Sequence, residues 1–357
     1  MGKKVLMKGN EAIGEAAILA GCRAYFCYPI TPQTEVAEYL ARRMPEVGGT
    51  FLQGESEVAV SYMLFGAGGA GVKVFTSSSS PGISLMAEGM SYIATAELPI
   101  VLINVMRNGP GLGGILPAQA DYFQATKGAG HGDYHFIVLA PSSVQEAVDL
   151  IVKSFDMAEK YSNPVMLVAD GMIGQMMEPV ELPTFDEPPS PYVKGHEKWA
   201  TTGAKGRERN LVKTLFLNPH EGQDHNVKLQ TKYKEIEANE IAFEEIDTDG
   251  DLDVLLVSFG TMARVCKTAM ESLKAEGVKV GMLRPISLWP FPLQRIRDLA
   301  DKTKLVVSVE LSMGQMVEDV ERAVQGKTPV GFFGRAGGIV PTPDEVKDGI
   351  LNLMKES

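Results

Sequence analysis

A chain of 357 residues exceeds what one core usually holds and suits two domains. With 45% hydrophobic and 22% charged residues it has the make-up of an ordinary globular protein, which excludes disorder as the default. A formal net charge of −11, with no Lys/Arg-rich block, excludes nucleic acid and anionic membrane as expected partners, because both demand a basic surplus.

The first half alternates helical and strand patterns. Residues 10–20 read as a helix stopped by Gly21, and residues 24–28 as a short buried strand. Residues 32–43 read as a helix, 50–53 as a strand, and 57–65 as an apolar helix ending in a run of glycines. A strand at 72–76, a helix at 82–96, strands at 100–105 and 136–139, a helix at 143–161 and a strand at 165–168 follow. Short strands separated by helices imply a parallel sheet covered on both faces. The pattern changes near Glu181: residues 183–192 are a proline-rich connector, and 193–250 a polar surface excursion with a helix at 227–245. A second α/β unit begins at Asp253, with strands at 254–258, 278–283 and 304–310 and helices at 262–275, 291–302, 315–324 and 343–355. The expected division is 1–182, 183–250 and 251–357.

Two motif matches fail on context. Gly66-Ala67-Gly68-Gly69-Ala70-Gly71 spells the dinucleotide fingerprint, but that motif needs a strand before and a helix after, and here the order is reversed. Asp247-Thr248-Asp249-Gly250-Asp251 looks like a calcium loop but has Gly250 at position four and Ser258 at twelve, so it reads as an acidic linker.

Cysteines number three, Cys22, Cys27 and Cys266, an odd count that argues for a reducing compartment and is too few for a four-cysteine iron–sulfur site. They read as core or pocket-wall thiols. The first residues show no signal-peptide pattern and the apolar runs fall far short of a membrane span, so the expected location is cytoplasmic.

The informative residue is Glu57, which heads the apolar helix. A carboxylate there is costly unless paired; helix capping and dipole complementarity are its bland explanation. Tyr28-Pro29-Ile30-Thr31-Pro32 follows a strand directly, at the edge where α/β sheets bind ligands, and reads otherwise as a strand-ending turn. Arg107 follows the strand at 100–105, as a surface charge or as an anion-binding fork.

Taken together, these segments resemble the 2-oxoacid:ferredoxin oxidoreductases nearly end to end. Glu57 with Gly66-Ala67 nine and ten residues on is similar to the pyrimidine domain of thiamine-diphosphate enzymes. There the glutamate hydrogen-bonds N1′ of the cofactor's aminopyrimidine. Tyr28-Pro29-Ile30-Thr31-Pro32 resembles the family's substrate turn, with Thr31 matching its substrate-contacting threonine. Arg107 matches the arginine that pairs with the substrate carboxylate. Ser77-Ser78-Ser79-Ser80-Pro81-Gly82 stands at the family's Ser/Gly-Pro-Gly turn. The stretches around Leu283 to Pro292 and Glu310 to Met316 look like a transketolase C-terminal-like domain.

The resemblance implies an α/β fold with a thiamine-diphosphate pyrimidine domain on a parallel sheet. Glu57, Thr31 and Arg107 are then the catalytic residues, and Tyr28, Pro29, Ile30, Glu57, Ser79 and Ser80 the cofactor-binding ones. No metal ligand is expected on this chain, which lacks the family's Gly-Asp-Gly motif for Mg²⁺ and the diphosphate. That half of the cofactor, and the [4Fe–4S] clusters, belong by resemblance to partner chains: a diphosphate-binding beta subunit, a gamma subunit and a ferredoxin-like delta subunit. Loop residues 112–122 and 130–134 resemble the 2-ketoisovalerate type. The implied reaction converts a branched-chain 2-oxoacid, coenzyme A and oxidised ferredoxin to acyl-CoA, CO₂ and reduced ferredoxin. A 2-oxoglutarate-type subunit, a non-catalytic scaffold on the same fold, and a thiamine-dependent decarboxylase or transferase stay open as alternatives. His131 reads as a structural loop histidine.

Overall fold

A computed structural model describes residues 4–356. The Met1-Gly2-Lys3 start, read above for targeting signals, and Ser357 lie outside the described residues.

In the first half, β1 (Lys4–Lys8), α1 (Gly9–Leu19), β2 (Ala24–Cys27), α2 (Thr34–Glu46), β3 (Thr50–Gln53) and α3 (Glu57–Gly69) lead to β4 (Val74–Ser78). Then come α4 (Ser80–Leu85), α5 (Ala87–Thr95) and β5 (Val101–Met106), a long loop, α6 (Tyr122–Thr126) and β6 (Ile137–Leu139). α7 (Val144–Tyr161), β7 (Val165–Asp170), α8 (Gly171–Gln175) and β8 (Met177–Glu181) end this half. The second half holds α9 (Pro219–Asn239), β9 (Phe243–Ile246), β10 (Leu252–Val257), α10 (Gly260–Ala275), β11 (Val280–Pro285) and β12 (Ser287–Trp289). It closes with α11 (Leu293–Ala300), β13 (Thr303–Glu310), α12 (Met316–Val324), β14 (Val330–Gly334) and α13 (Pro343–Glu356).

Among the described residues these strands form a seven-stranded sheet, β12-β6-β7-β5-β4-β2-β3, and a five-stranded sheet, β14-β13-β10-β11-β9. β1 and β8 pair separately as an antiparallel ribbon. Within the large sheet every pairing is parallel except that of β12 with β6. The reason lies in the sequence: β5 (VLINVM) and β7 (VMLVAD) are apolar runs, buried at every position, with helices on both faces. α7 is started by Ser143, whose hydroxyl accepts the Glu146 N–H at 3.1 Å while the Glu146 carboxylate accepts the Ser142 N–H at 2.7 Å.

The second sheet divides its strand β10 between two cores. Leu255 and Val257 face the core shared with the first sheet, and Val254 and Leu256 face the core under α10 and α13. Buried side chains tie the halves together. Asp170 accepts from the Thr261 hydroxyl at 2.7 Å. Gln119 donates to the Phe259 carbonyl at 2.8 Å and accepts the Leu311 N–H at 3.0 Å. Arg284 forks onto Glu146 and reaches Glu244. No helix among the described residues is long and apolar enough to cross a membrane.

Several expected elements shift. The polar helix expected at 227–245 runs instead over Pro219–Asn239, because the Asn218 side chain caps it and Pro219 opens it. Phe243–Ile246 is strand, not helix, paired antiparallel with β11. The expected helix at 82–96 is two, broken at Met86. α3 does not stop at the glycines but continues through Gly69; a Cβ on Gly68 would sit 2.9 Å from the Ile100 side chain, so the glycines let it press onto the sheet. The fingerprint-like string thus lies at a helix C-terminus. The Asp247–Asp251 stretch is the turn between β9 and β10, with Asp247 paired to Lys274.

Candidate active site

The neighbouring parallel strands β5, β4, β2 and β3 end at one edge of the large sheet, and the residues singled out in the sequence follow those ends. After β2 the chain turns through Tyr28, Pro29 and Ile30 to Thr31; Tyr28, Pro29 and Thr31 are exposed and Ile30 half-buried. The turn is pinned from beneath. Gln33 is fully buried, donates to the Tyr28 carbonyl at 3.3 Å, and accepts from the Ser77 hydroxyl at 2.6 Å. Asn10 and Gln175 both donate to the Pro32 carbonyl, at 2.7 and 3.1 Å.

Arg107 stands at the end of β5 and is buried, with 7% of its surface exposed. Its Nη1 donates to the Thr31 carbonyl at 2.9 Å and its Nη2 to the Leu112 carbonyl at 3.0 Å. Its Nε is buried with no partner among the described residues. The structure therefore brings Thr31 and Arg107 together directly, and shows Arg107 to be no surface charge.

Glu57 does not cap α3. The cap is Ser56, whose hydroxyl accepts the Ala59 N–H at 3.2 Å. Glu57 turns inward instead, 6% exposed, against the first turn of α4. A Cβ at Gly82 would lie 2.7 Å from Glu57 Oε1 and 2.1 Å from Ser78 Oγ, so only glycine fits there. Among the described residues no hydrogen bond or ion pair reaches the Glu57 carboxyl. Three more buried hydroxyls at β4 and the turn after it, those of Thr76, Ser78 and Ser79, also lack partners. Buried polar atoms are almost always paired. A group of unpaired ones at a sheet edge, beside an unpaired carboxyl and guanidinium nitrogen, fits a polar ring and an anionic ligand. Ser80 differs from Ser79: its hydroxyl donates to Asp121 at 2.5 Å and accepts the Arg107 N–H at 3.1 Å.

Two residues here were not singled out from the sequence. Asn104 donates to Asp121 at 2.9 Å and accepts the Ser80 N–H at 3.1 Å. The one available signal was a lone polar residue inside the apolar run of β5. Burial lifts the Asp121 carboxyl above its ordinary value, against the pull of its bonds to Ser80 and Asn104 and the charge of Arg107. His131 is exposed, lends its carbonyl to Ser91, and meets the Tyr92 ring edge-on, which is a loop role. All three thiols are buried, and burial pushes Cys22 and Cys266 up to about 12 and Cys27 to about 11, which makes them inert core groups. A separate cleft between the two halves contains Arg264, Lys267 and Arg284, but each is paired with a carboxylate.

Known proteins resemble this chain along nearly its whole length. Residues 15–245 match the family model described as pyruvate flavodoxin/ferredoxin oxidoreductase, thiamine diphosphate-binding, and residues 252–346 match pyruvate:ferredoxin oxidoreductase core domain II. The ketoisovalerate oxidoreductase subunit VorB of Methanothermobacter marburgensis is 47% identical over 99% of this chain and 98% of its own. The 2-oxoglutarate synthase subunit KorA of Archaeoglobus fulgidus is 38% identical over 92% of this chain and 94% of its own. Among solved structures, the 2-oxoglutarate:ferredoxin oxidoreductase of Magnetococcus marinus, with 2-oxoglutarate, coenzyme A and succinyl-CoA bound, superposes with a TM-score of 0.84. It is 28% identical, and the match covers 99% of this chain and 66% of that one. Matched over most of its length by these family models and relatives, the chain belongs to the pyruvate flavodoxin/ferredoxin oxidoreductase family, as a thiamine-diphosphate-binding oxidoreductase subunit.

Proposed function

We infer that this chain is the pyrimidine-binding subunit of a branched-chain 2-oxoacid:ferredoxin oxidoreductase of the 2-ketoisovalerate type. The observation that carries the reading is Arg107: buried, held by two carbonyls, and left with its Nε–H unpaired among the described residues. A guanidinium so held is preorganised for a carboxylate and loses little entropy on binding it. The higher identity to the ketoisovalerate subunit than to the 2-oxoglutarate subunit supports the substrate class. So does the loop at 108–118, which carries Leu112, Ile115 and Leu116 and no Lys, Arg or His to meet a second carboxylate.

The residues take these roles. Glu57 holds a proton at N1′ of the aminopyrimidine; Tyr28, Pro29, Ile30 and Ser79 wall the ring. Ser80 holds the backbone of Arg107. Thr31 and Arg107 orient the 2-oxoacid. Thiamine diphosphate, when bound, supplies the carbon nucleophile for decarboxylation. The division at 1–182, 183–250 and 251–357 assigns the pyrimidine site to the first part and a transketolase C-terminal-like domain to the last. The diphosphate with its Mg²⁺ sits on a beta subunit and the [4Fe–4S] clusters on partner chains, and gamma and ferredoxin-like delta subunits complete the complex. Coenzyme A takes the acyl group, ferredoxin takes the electrons, and the complex works in the cytoplasm.

A panel of 2-oxoacids on the natively purified complex tests this. The expected result is the highest kcat/KM with 3-methyl-2-oxobutanoate, together with iron and thiamine in the preparation. A preference for 2-oxoglutarate would overturn the substrate class, and a complex without iron would overturn the electron route.

A further inference from the structure

The loop that leaves the site at Arg107 comes back to it at Asp121. Asp121 Oδ2 accepts two hydrogen bonds, from Ser80 Oγ at 2.5 Å and from Asn104 Nδ2 at 2.9 Å. Asn104 Oδ1 accepts the Ser80 N–H at 3.1 Å, which closes a ring of three residues. Ser80 Oγ also accepts the Arg107 N–H at 3.1 Å. Asn104, Ser80 and Arg107 are buried and Asp121 half-buried, so little water competes for these bonds. The base of the loop is further closed by a strand-like bridge between Arg107 and Pro117, and Gln119 seats it on the second sheet's loops. The seating of this loop decides two things at once. It sets the backbone from which the Arg107 side chain leaves, and it sets where the Leu112 carbonyl stands to receive Nη2.

Asp121 forms no ion pair with any cation among the described residues, and it accepts from a hydroxyl and an amide beneath the arginine's backbone. An acidic group kept half-buried without a salt bridge costs stability. Its bonds lead to one place, the backbone that carries the substrate arginine.

We propose that Asp121 is a positioning residue for 2-oxoacid binding: through Ser80 and Asn104 it fixes the backbone of Arg107 and the base of the 107–121 loop, and so aims the free guanidinium nitrogen. This rests on the reading of Arg107 as the carboxylate-binding group. Asp121 touches neither substrate nor cofactor in this role. The raised proton affinity of its carboxyl fits a group whose charge is tolerated for the hydrogen bonds it accepts.

The test uses the natively assembled complex carrying Asp121→Ala, Asp121→Asn, Arg107→Lys, and Arg107→Lys combined with Asp121→Ala. Asp121→Ala is expected to raise KM for the 2-oxoacid about tenfold or more, the scale on which small misplacements of binding groups act. Exchange of the thiamine C2 proton without 2-oxoacid should stay at the parent rate, since Glu57 is untouched. Asp121→Asn keeps an acceptor oxygen but loses the charge assistance, so its KM should lie between parent and alanine variant. The double variant should be no worse than the worse single one, because both changes act on one contact. Parent-like KM in Asp121→Ala beside a raised KM in Arg107→Lys overturns this inference alone. Unchanged KM in Arg107→Lys overturns the reading of Arg107 and the inference with it. Loss of C2 exchange, or fully additive effects, overturns it as well, by making Asp121 a general structural support. Where the alanine variant does not assemble, Asp121→Asn decides, and parent-like KM there overturns the proposal.

Discussion

Glu57 heads a well-capped helix, turned inward, and its carboxyl makes no hydrogen bond or ion pair among the described residues to contribute to the fold. Replacing it by glutamine removes the charge and keeps the shape. Glu57→Gln is therefore expected to leave thermal stability equal or higher while slowing C2-proton exchange in the assembled complex by about a hundredfold or more, the usual weight of a general acid–base group. Parent-like exchange would reduce Glu57 to a helix-start residue. The sequence put Glu57, Thr31 and Arg107 forward as candidates because the motifs around them resemble those of a family. It left capping open for Glu57, and the answer required seeing that Ser56 already does it. Asp121 was illegible for a physical reason. Its partners Ser80 and Asn104 lie 41 and 17 residues away in the chain, and nothing local announces that they meet.

At the scale of elements, α1 and α2 are locked by Glu15, which accepts from Arg43 at 3.0 and 2.8 Å and from Tyr39 at 2.8 Å. Burial pushes the Glu15 carboxyl up, but the bonds from Arg43 and Tyr39 outweigh it, and the net displacement is downward from 4.5. A carboxylate with a depressed folded-state pKa contributes stability that is complete above its unfolded value and is lost as pH falls through the folded one. Denaturation of the parent and of Glu15→Gln across pH should therefore show a gap that is full above pH 4.5 and closes on further acidification. A gap that persists at the most acid pH, or opens there, would show that the lock is packing rather than charge. The alternation of helices and strands was legible because apolar β-branched runs and capped amphipathic helices announce themselves. Short elements were not. β12 is three residues between prolines, β1 and β8 carry lysine and glutamate at exposed positions, and α9 was misplaced because its Asn218-Pro219 start precedes the polar stretch that was read as helical.

For the whole molecule, the proposed function divides the chemistry between chains. The three cysteines are separate core thiols, and the chain has no Gly-Asp-Gly motif. Purified alone, this chain is expected to hold no cluster iron and to bind thiamine diphosphate weakly, by iron assay and calorimetry. Stoichiometric iron in the single chain would contradict the division. The sequence suggested two successive α/β units. It did not reveal that the second lends β12 to the first sheet, since a pairing partner more than a hundred residues distant leaves no local mark.

That borrowed strand bears on how the chain is made. β6 receives its outer neighbour only from Ser287–Trp289, at the far side of the connector and of most of the second sheet. While the protein emerges from the ribosome, residues up to Glu181 are out long before β12 exists. During that interval the large sheet has a bare edge at β6, a short, wholly apolar Ile137–Leu139 strand with open N–H and C=O groups. Such an edge is a template for pairing with another nascent chain. α9 packs near it through Tyr233, which meets Trp289 and His135, and is synthesised about midway through the gap. Closing the large sheet is therefore a late event in synthesis, since it waits on Ser287–Trp289.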